Sequence, residues 1–336
     1  MNITKLTQSY KSAVTDRWHT PGHKGLLWDD DITEISDGEF FPADTIEKAQ
    51  QKAAKLYGAK QLRFLTGGSS MGVKASILSV GGDILVSSNS HRSVFEGAAL
   101  AKVKAFVVQA PVQDGLPAPL TPSIVCDGLK KHKGVKAVVV TSPDYFGRVA
   151  AREIADIVHR AGKLLIVDSA HGAHFPLRTD LFPKSFSDIA DFCNLSAHKT
   201  MCALTMGAYL CVNNEKYFSS VDTALKNLGT TSPLYPLLSS LENAIDVGYM
   251  QSALYDNVKA NVALMKEKIP TLDNDDFSRI VVNAKKLGLS GKELFDKLLK
   301  KGIAAELYTD EYVVFIATPF DDAAKFERLT SAILYR

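Results

Sequence analysis

Residues 164–174 read Leu-Leu-Ile-Val-Asp-Ser-Ala-His-Gly-Ala-His. Four apolar residues in a row, β-branched at the centre and too few for a helix, predict a strand covered on both faces. The strand delivers a carboxylate, Asp168, at its carboxyl end, and a loop of small residues carries His171 and His174. In open α/β sheets ligands gather outside the carboxyl ends of the strands. Asp168 is therefore placed to pair with a protonated ring nitrogen, a metal or an arginine. Metal binding is a genuine rival here, because Asp168, His171 and His174 are all ligand types.

Outward from this strand the same texture repeats. Apolar runs at 62–66, 83–87, 104–109, 137–141, 191–196 and 207–212 predict further strands. Amphipathic helices fall between several of them, such as 45–57 closed by Gly58 and 152–160 closed by Gly162. Alternating strands and helices imply an α/β fold with a mostly parallel sheet. After Val212 the texture changes. A long helical stretch runs over 237–268, Pro270 ends it, and a polar linker follows. The rest reads strand (279–283), helix (291–301), strand (303–307), strand (312–317) and helix (322–334), a small C-terminal α+β unit. The expected division is an N-terminal segment over 1–45, a large domain over 46–268 and a small domain over 269–336.

The chain has 336 residues, 46% of them hydrophobic, and a formal net charge of +2. That balance suits a soluble globular protein and gives no reason to invoke nucleic acid or a membrane surface. The first residues lack the apolar core of a signal peptide, and no apolar run is long enough to span a bilayer. Cys126, Cys193, Cys202 and Cys211 form no CxxC pair and fit no zinc spacing. They read as reduced thiols of a cytoplasmic protein.

Other strand ends carry polar groups too. Thr66-Gly67-Gly68-Ser69-Ser70 lies between a strand and a helix. Glycines let the backbone approach closely, and a helix N-terminus offers N–H groups to an anion. Alone it is more commonly a tight turn with a serine cap. Ser90-His91-Arg92 follows the next strand; His91 is either a capping histidine or a stacking partner for a flat ligand. Thr141 to Gly147 (Thr-Ser-Pro-Asp-Tyr-Phe-Gly) is by itself a turn built on Pro143 and Gly147. Last comes Leu195-Ser196-Ala197-His198-Lys199-Thr200. A lysine just after a buried strand is costly unless neutralised or bonded. Lysine is also the residue whose amine forms Schiff bases. Its alternative is a solvated surface lysine.

Taken together these stretches resemble the pyridoxal-phosphate enzymes of fold type I, the aspartate-aminotransferase superfamily. The likeness is nearest to the ornithine/lysine/arginine decarboxylase group (major domain). It is carried, in order, by His19-Thr20-Pro21-Gly22-His23-Lys24-Gly25, the Gly67–Ser70 loop, Asn89-Ser90-His91-Arg92-Ser93, the Ser-Pro-x-Tyr-x-Gly turn at 142–147, residues 168–174, residues 196–200 and residues 230–237. It covers most of 17–245. It implies a large domain with a mostly parallel sheet plus a small C-terminal α+β domain.

The resemblance also implies roles. Lys199 would carry pyridoxal phosphate as a Schiff base, and Asp168 would hold the pyridine nitrogen protonated. His91 would stack on one ring face, with Ala170 leaving room on the other. Gly68, Ser69 and Ser70 would bind the phosphate, helped by Ser196 and His198. Thr230, Thr231 and Ser232 would reach the phosphate of the neighbouring subunit, which implies a homodimer with sites at its interface. His171 would lie near the ring oxygen and the substrate carboxylate. Catalysis would rest on Lys199, Asp168, His91, His171 and His198, with no metal.

The implied reaction is decarboxylation of lysine, arginine or ornithine to a polyamine-type amine. An aminotransferase, a carbon–sulfur lyase and a catalytically silent partner subunit are the alternatives. An aminotransferase would use a small-domain arginine, for which Arg279 and Arg328 are available. The acidic residues Asp29, Asp30, Asp31, Glu39 and Asp44 are either recognition groups for a distal cation or a solvated loop. Larger members of the group carry a further C-terminal domain and, in acid-induced members, an N-terminal wing; neither is matched within these residues. The segment Asp37 to Asp44 stands for a longer family region expected near the substrate entrance. Asp144 and Phe146 stand where less acidic and more polar residues are expected.

Overall fold

The computed structural model describes residues 2–32 and 44–335. Helices α1 (Ile3–Ala13) and α2 (Thr45–Tyr57) precede the sheet. The chain then runs through β1 (Gln61–Leu65), α3 (Gly68–Val80), β2 (Ile84–Ser87), α4 (Arg92–Ala101) and β3 (Ala105–Val108). A small hairpin, β4 (Val112–Gln113) and β5 (Leu116–Pro117), leads to α5 (Pro122–Lys131). Next come β6 (Ala137–Thr141), α6 (Glu153–Arg160), β7 (Leu164–Asp168), β8 (Phe192–Leu195), the short α7 (Ala197–Thr200), β9 (Ala208–Val212) and α8 (Phe218–Leu228).

Seven of these strands form one sheet in the order β1-β9-β8-β7-β6-β2-β3. Each predicted strand of the first two thirds is present, with bounds within one residue of those expected. Strands β8, β7, β6, β2 and β3 pair in parallel, whereas β9 runs antiparallel to both β8 and β1. Valines and isoleucines of β6 and β7 are fully buried because helices cover both faces, leaving two apolar layers around the sheet. Gly58 caps α2 with φ +63°, as its position after an amphipathic run predicts.

The predicted long helix is two helices, α9 (Tyr235–Gln251) and α10 (Tyr255–Lys266), separated by a tight turn at Ser252–Leu254. The C-terminal unit holds β10 (Arg279–Asn283), α11 (Gly291–Lys300), β11 (Leu307–Tyr308), β12 (Tyr312–Ile316) and α12 (Ala323–Leu334). Its antiparallel sheet has the order β10-β12-β11. The strand expected over 303–307 is instead the two residues Leu307–Tyr308. The N–H of Ile303 closes α11 on the Leu298 carbonyl, and two alanines offer little side chain to bury. The core of this unit takes in Val258, Val262 and Met265 of α10 and Phe175 and Phe182 of the large unit.

The turn after β6 joins the units. Asp144 accepts from the N–H groups of Phe146 (2.8 Å) and Arg148 (2.9 Å) and from Arg148 Nε (3.1 Å). The Asn274 amide donates to the Phe146 carbonyl (2.7 Å), and the Gly147 carbonyl accepts from the N–H of Asp276 (2.9 Å). Asp144 is thus spent on shaping this turn and does not line the cavity below.

Candidate active site

A cavity of about 300 Å³ opens at the carboxyl edge of the large sheet. Every parallel strand except the outermost β3 contributes to it. After β1 come Gly67, Gly68, Ser69 and Ser70; after β2, Asn89 and His91; after β6, Thr141 at its end and Tyr145; after β7, Asp168 at its end, Ala170 and His171; after β8, Ser196, His198 and Lys199. Because β9 runs the other way, the residues before it, Thr205 and Met206, reach the same edge.

Local structure sets each group. Gly68 opens α3 with φ +75°, a left-handed conformation that a side chain disfavours. No side chain caps this helix, so its first N–H groups face the cavity without a protein acceptor at the cap. The Ser196 hydroxyl donates to Ser69 Oγ across the opening (2.8 Å). His91 is the N-cap of α4: its Nδ1 accepts from the Ser93 N–H (3.2 Å), which fixes the ring while it lines the cavity. His91 thus caps α4 and lines the cavity at the same time.

Asp168 is 4% exposed, and its Oδ1 accepts from the Ala170 N–H (3.3 Å). Burial pushes its carboxyl above the usual range, against the pull of the Lys199 and His91 charges. Burial likewise holds the Lys199 ammonium below the usual lysine range; Asp168 opposes that shift and Arg279 adds to it. Lys199 Nζ lies 3.2 Å from His171 Nε2 and 5.7 Å from the centre of the Tyr145 ring. The Tyr145 and His171 rings are 4.5 Å apart. On its other side His171 faces Arg279, whose Nη2 is 3.1 Å from Nδ1. Arg279 is 1% exposed, and its Nε and Nη1 have no partner among the described residues. Burial first, then the Arg279 and Lys199 charges, keep the His171 ring well below the usual histidine range. Burial and Lys199 also lower His198.

The structure therefore gathers Lys199, Asp168, His91, His171, His198, Gly68, Ser69, Ser70, Ala170 and Ser196 around one cavity. Thr230, Thr231 and Ser232 do not line it in the same chain. The metal reading loses its ligand set: His174 turns away to Asp276 (3.4 Å) and Ser278 (3.2 Å). Among the described residues no group of three or more histidines, cysteines and acids is suited to a metal. Asp29 pairs with Lys11, Asp31 with His23 and Asp44 with Lys48, so these acids serve local contacts; neither they nor Asp30 lines the cavity. Glu39 and residues 37–43 lie outside the described residues. Sequence reasoning gave no role to Asn89, Thr141 and Tyr145, although all three sit within motifs at strand ends. Nor did it select Arg279 over Arg328, or find Glu306, whose charge acts on Tyr145, His198, Lys199 and Arg279.

The residues present fit a flat anionic aldehyde. An uncapped helix start with serine hydroxyls suits a phosphate. A buried carboxylate with a single weak hydrogen bond suits a ring cation. Thr141 Oγ1 is buried at the cavity wall without a partner. A half-buried lysine stands at the centre. This fold and edge define the class: the architecture is that of pyridoxal-phosphate enzymes of fold type I.

Within that class the chain belongs to the Orn/Lys/Arg decarboxylase family, whose major-domain model matches residues 31–284. It is 31% identical over 342 residues to the protein YaaO of Bacillus subtilis, covering 90% of this chain and 70% of that one. It is 27% identical over 350 residues to an arginine decarboxylase of Bacillus anthracis, covering 91% and 70%. The solved lysine decarboxylase LdcF of Francisella novicida superposes with a TM-score of 0.79 at 18% identity, over 98% of this chain. The chain spans 59% of that enzyme's length. Among the described residues no helix is long and apolar enough to cross a membrane.

Proposed function

We propose that this chain is a pyridoxal-phosphate-dependent decarboxylase of a basic amino acid, working as a homodimer in the cytoplasm. The observation that carries the reading is the shared cavity of Lys199 and Asp168 above the uncapped start of α3. Lys199 is the covalent anchor and Asp168 the partner of the ring nitrogen. His91 and Ala170 cover the two ring faces. Gly68, Ser69, Ser70, Ser196 and His198 receive the phosphate, and Thr230, Thr231 and Ser232 reach that of the neighbouring subunit. When bound, the group supplies an electron sink for the substrate Cα.

The chain's own part is to bind, orient and move protons. The substrate amine takes the place of the Lys199 amine. The cavity walls would orient the substrate so that its carboxylate-bearing bond is the one broken. A histidine beside Lys199, His198 or His171, returns a proton to Cα after carbon dioxide leaves. Glu306, a carboxylate with no hydrogen bond or ion pair among the described residues, supports a substrate with a distal cation. Aminotransfer is the second reading. The buried Arg279 favours it, since two of its donors are unspent and suit a carboxylate.

The test is the visible spectrum of the purified chain with pyridoxal phosphate, before and after borohydride, beside Lys199→Ala. We expect an absorption band that borohydride abolishes and that the variant lacks. Incubation with lysine, arginine and ornithine should then release carbon dioxide and the matching amine. An α-keto acid in place of carbon dioxide would move the assignment to aminotransfer, and no band at all would end the cofactor reading.

A further inference from the structure

We propose that Arg279 sets the position of the proton on His171, and that the chain Arg279–His171–Lys199 holds the Lys199 side chain as an unprotonated amine whenever it is free. Arg279 is thereby a positioning residue that acts on the lysine through an imidazole. The use made of the amine rests on the function proposed above; the arrangement of protons does not.

The argument is one of donors and acceptors. A guanidinium has five N–H donors and no acceptor. Its Nη2 lies 3.1 Å from His171 Nδ1, so Nδ1 accepts. A neutral imidazole then carries its proton on Nε2, the atom that faces Lys199 Nζ at 3.2 Å. An ammonium has no acceptor either. The contact is therefore a hydrogen bond only if Nζ keeps its lone pair. A doubly protonated ring would line up three cations in a buried site, which burial and the flanking charges oppose.

Other groups act on Lys199 from every side. Asp168 at the end of β7 and Glu306 ahead of β11 favour the ammonium; Arg279 at the start of β10 and burial oppose it. The Tyr145 ring faces Nζ from the turn after β6, His198 adjoins it on α7, and His91 at the head of α4 faces Asp168. Asp168 is itself driven towards its neutral form by burial, which weakens its pull. The direct contact with an N–H donor decides the balance.

The experiment needs no turnover. In the cofactor-free full chain, ¹⁵N shifts report the tautomer of His171, and competitive acetylation with acetic anhydride across pH reports how Lys199 titrates beside exposed lysines. We expect the proton on Nε2, and Lys199 labelling well ahead of exposed lysines near neutral pH. His171→Phe should reduce that labelling about tenfold or more, one pKa unit being tenfold, although the Arg279 charge remains. Arg279→Gln should largely preserve it, because an amide N–H can still donate to Nδ1, and Arg279→Lys should preserve it too.

The reverse order, with loss in Arg279→Gln and none in His171→Phe, would show a purely electrostatic effect and overturn the proposal. So would a proton on Nδ1, or Lys199 titrating with the exposed lysines, in the unaltered chain. A chain that labels as expected yet takes up no pyridoxal phosphate supports this arrangement while refuting the function proposed above.

Discussion

Glu306 is exposed and outside the cavity wall, yet its charge reaches four groups in or behind that wall. A carboxylate so placed, with no protein cation bound to it among the described residues, is available to a substrate's distal ammonium or guanidinium. Glu306→Gln is expected to raise KM for the preferred basic amino acid about fivefold, the scale of one solvent-exposed ion pair. KM for an uncharged analogue of equal length should hardly move; equal effects on both would remove Glu306 from substrate recognition. Lys199, Asp168 and His91 stood out in the sequence because each lies at or just beyond the carboxyl end of an apolar strand, where an α/β sheet presents its ligand groups. Arg279 and Glu306 were not. They arrive from a separate unit, and their nearness to His171 and Lys199 is a tertiary fact with no local signal.

At the level of elements, the placing of α3 sets the cavity floor. A Cβ on Gly72 would stand 2.2 Å from Asn194 Oδ1 and 2.7 Å from Leu65 Cδ1, so the missing side chain lets the helix lie against β8 and β1. Gly72→Ala is expected to cost about 1–3 kcal/mol through overpacking, read as a lower urea midpoint. Gly134→Ala, where a Cβ meets nothing within 4 Å, is the matched control and should fall within about 0.5 kcal/mol. An unchanged midpoint for Gly72→Ala would mean that the helix can ride outward without loss. The strands were readable because a sheet covered on both faces needs uninterrupted apolar runs. The 303–307 strand misled for a related reason: apolar residues after a helix there close the helix, and pairing with β12 starts only near Glu306.

For the whole molecule, the segment at 230–232 stays outside its own chain's cavity, as it would if it served a second copy. Trp18, Leu26, Leu27 and Trp28 are also largely exposed, apolar surface of the kind that association covers. Mixing Lys199→Ala with a variant altered at Thr230, Thr231 and Ser232 should recover decarboxylation that neither shows alone, since the mixed dimer pairs one intact lysine with one intact loop. No recovery, with dimers verified by light scattering, would place the loop outside the site. The polar break after Pro270 could be read in the sequence. That α10 lends Val258 and Val262 to the later unit's core could not, because an apolar helix face does not say which neighbour it will meet.

The antiparallel strand β9 has a consequence for how the chain comes to be. Among the described residues β1 pairs within the large sheet only with β9, Gln61 lying opposite Val212. A nascent chain therefore leaves the edge of β1, and the Gly67–Ser70 turn that follows it, without support until residues about a hundred and fifty positions later have emerged. Such distant pairing is slow to form. Occupancy by a ligand thus certifies a finished sheet, and because that ligand favours only the finished state it shifts the folding equilibrium by mass action. With pyridoxal phosphate as that ligand, as proposed above, supply of the cofactor and yield of the folded chain would be coupled quantities.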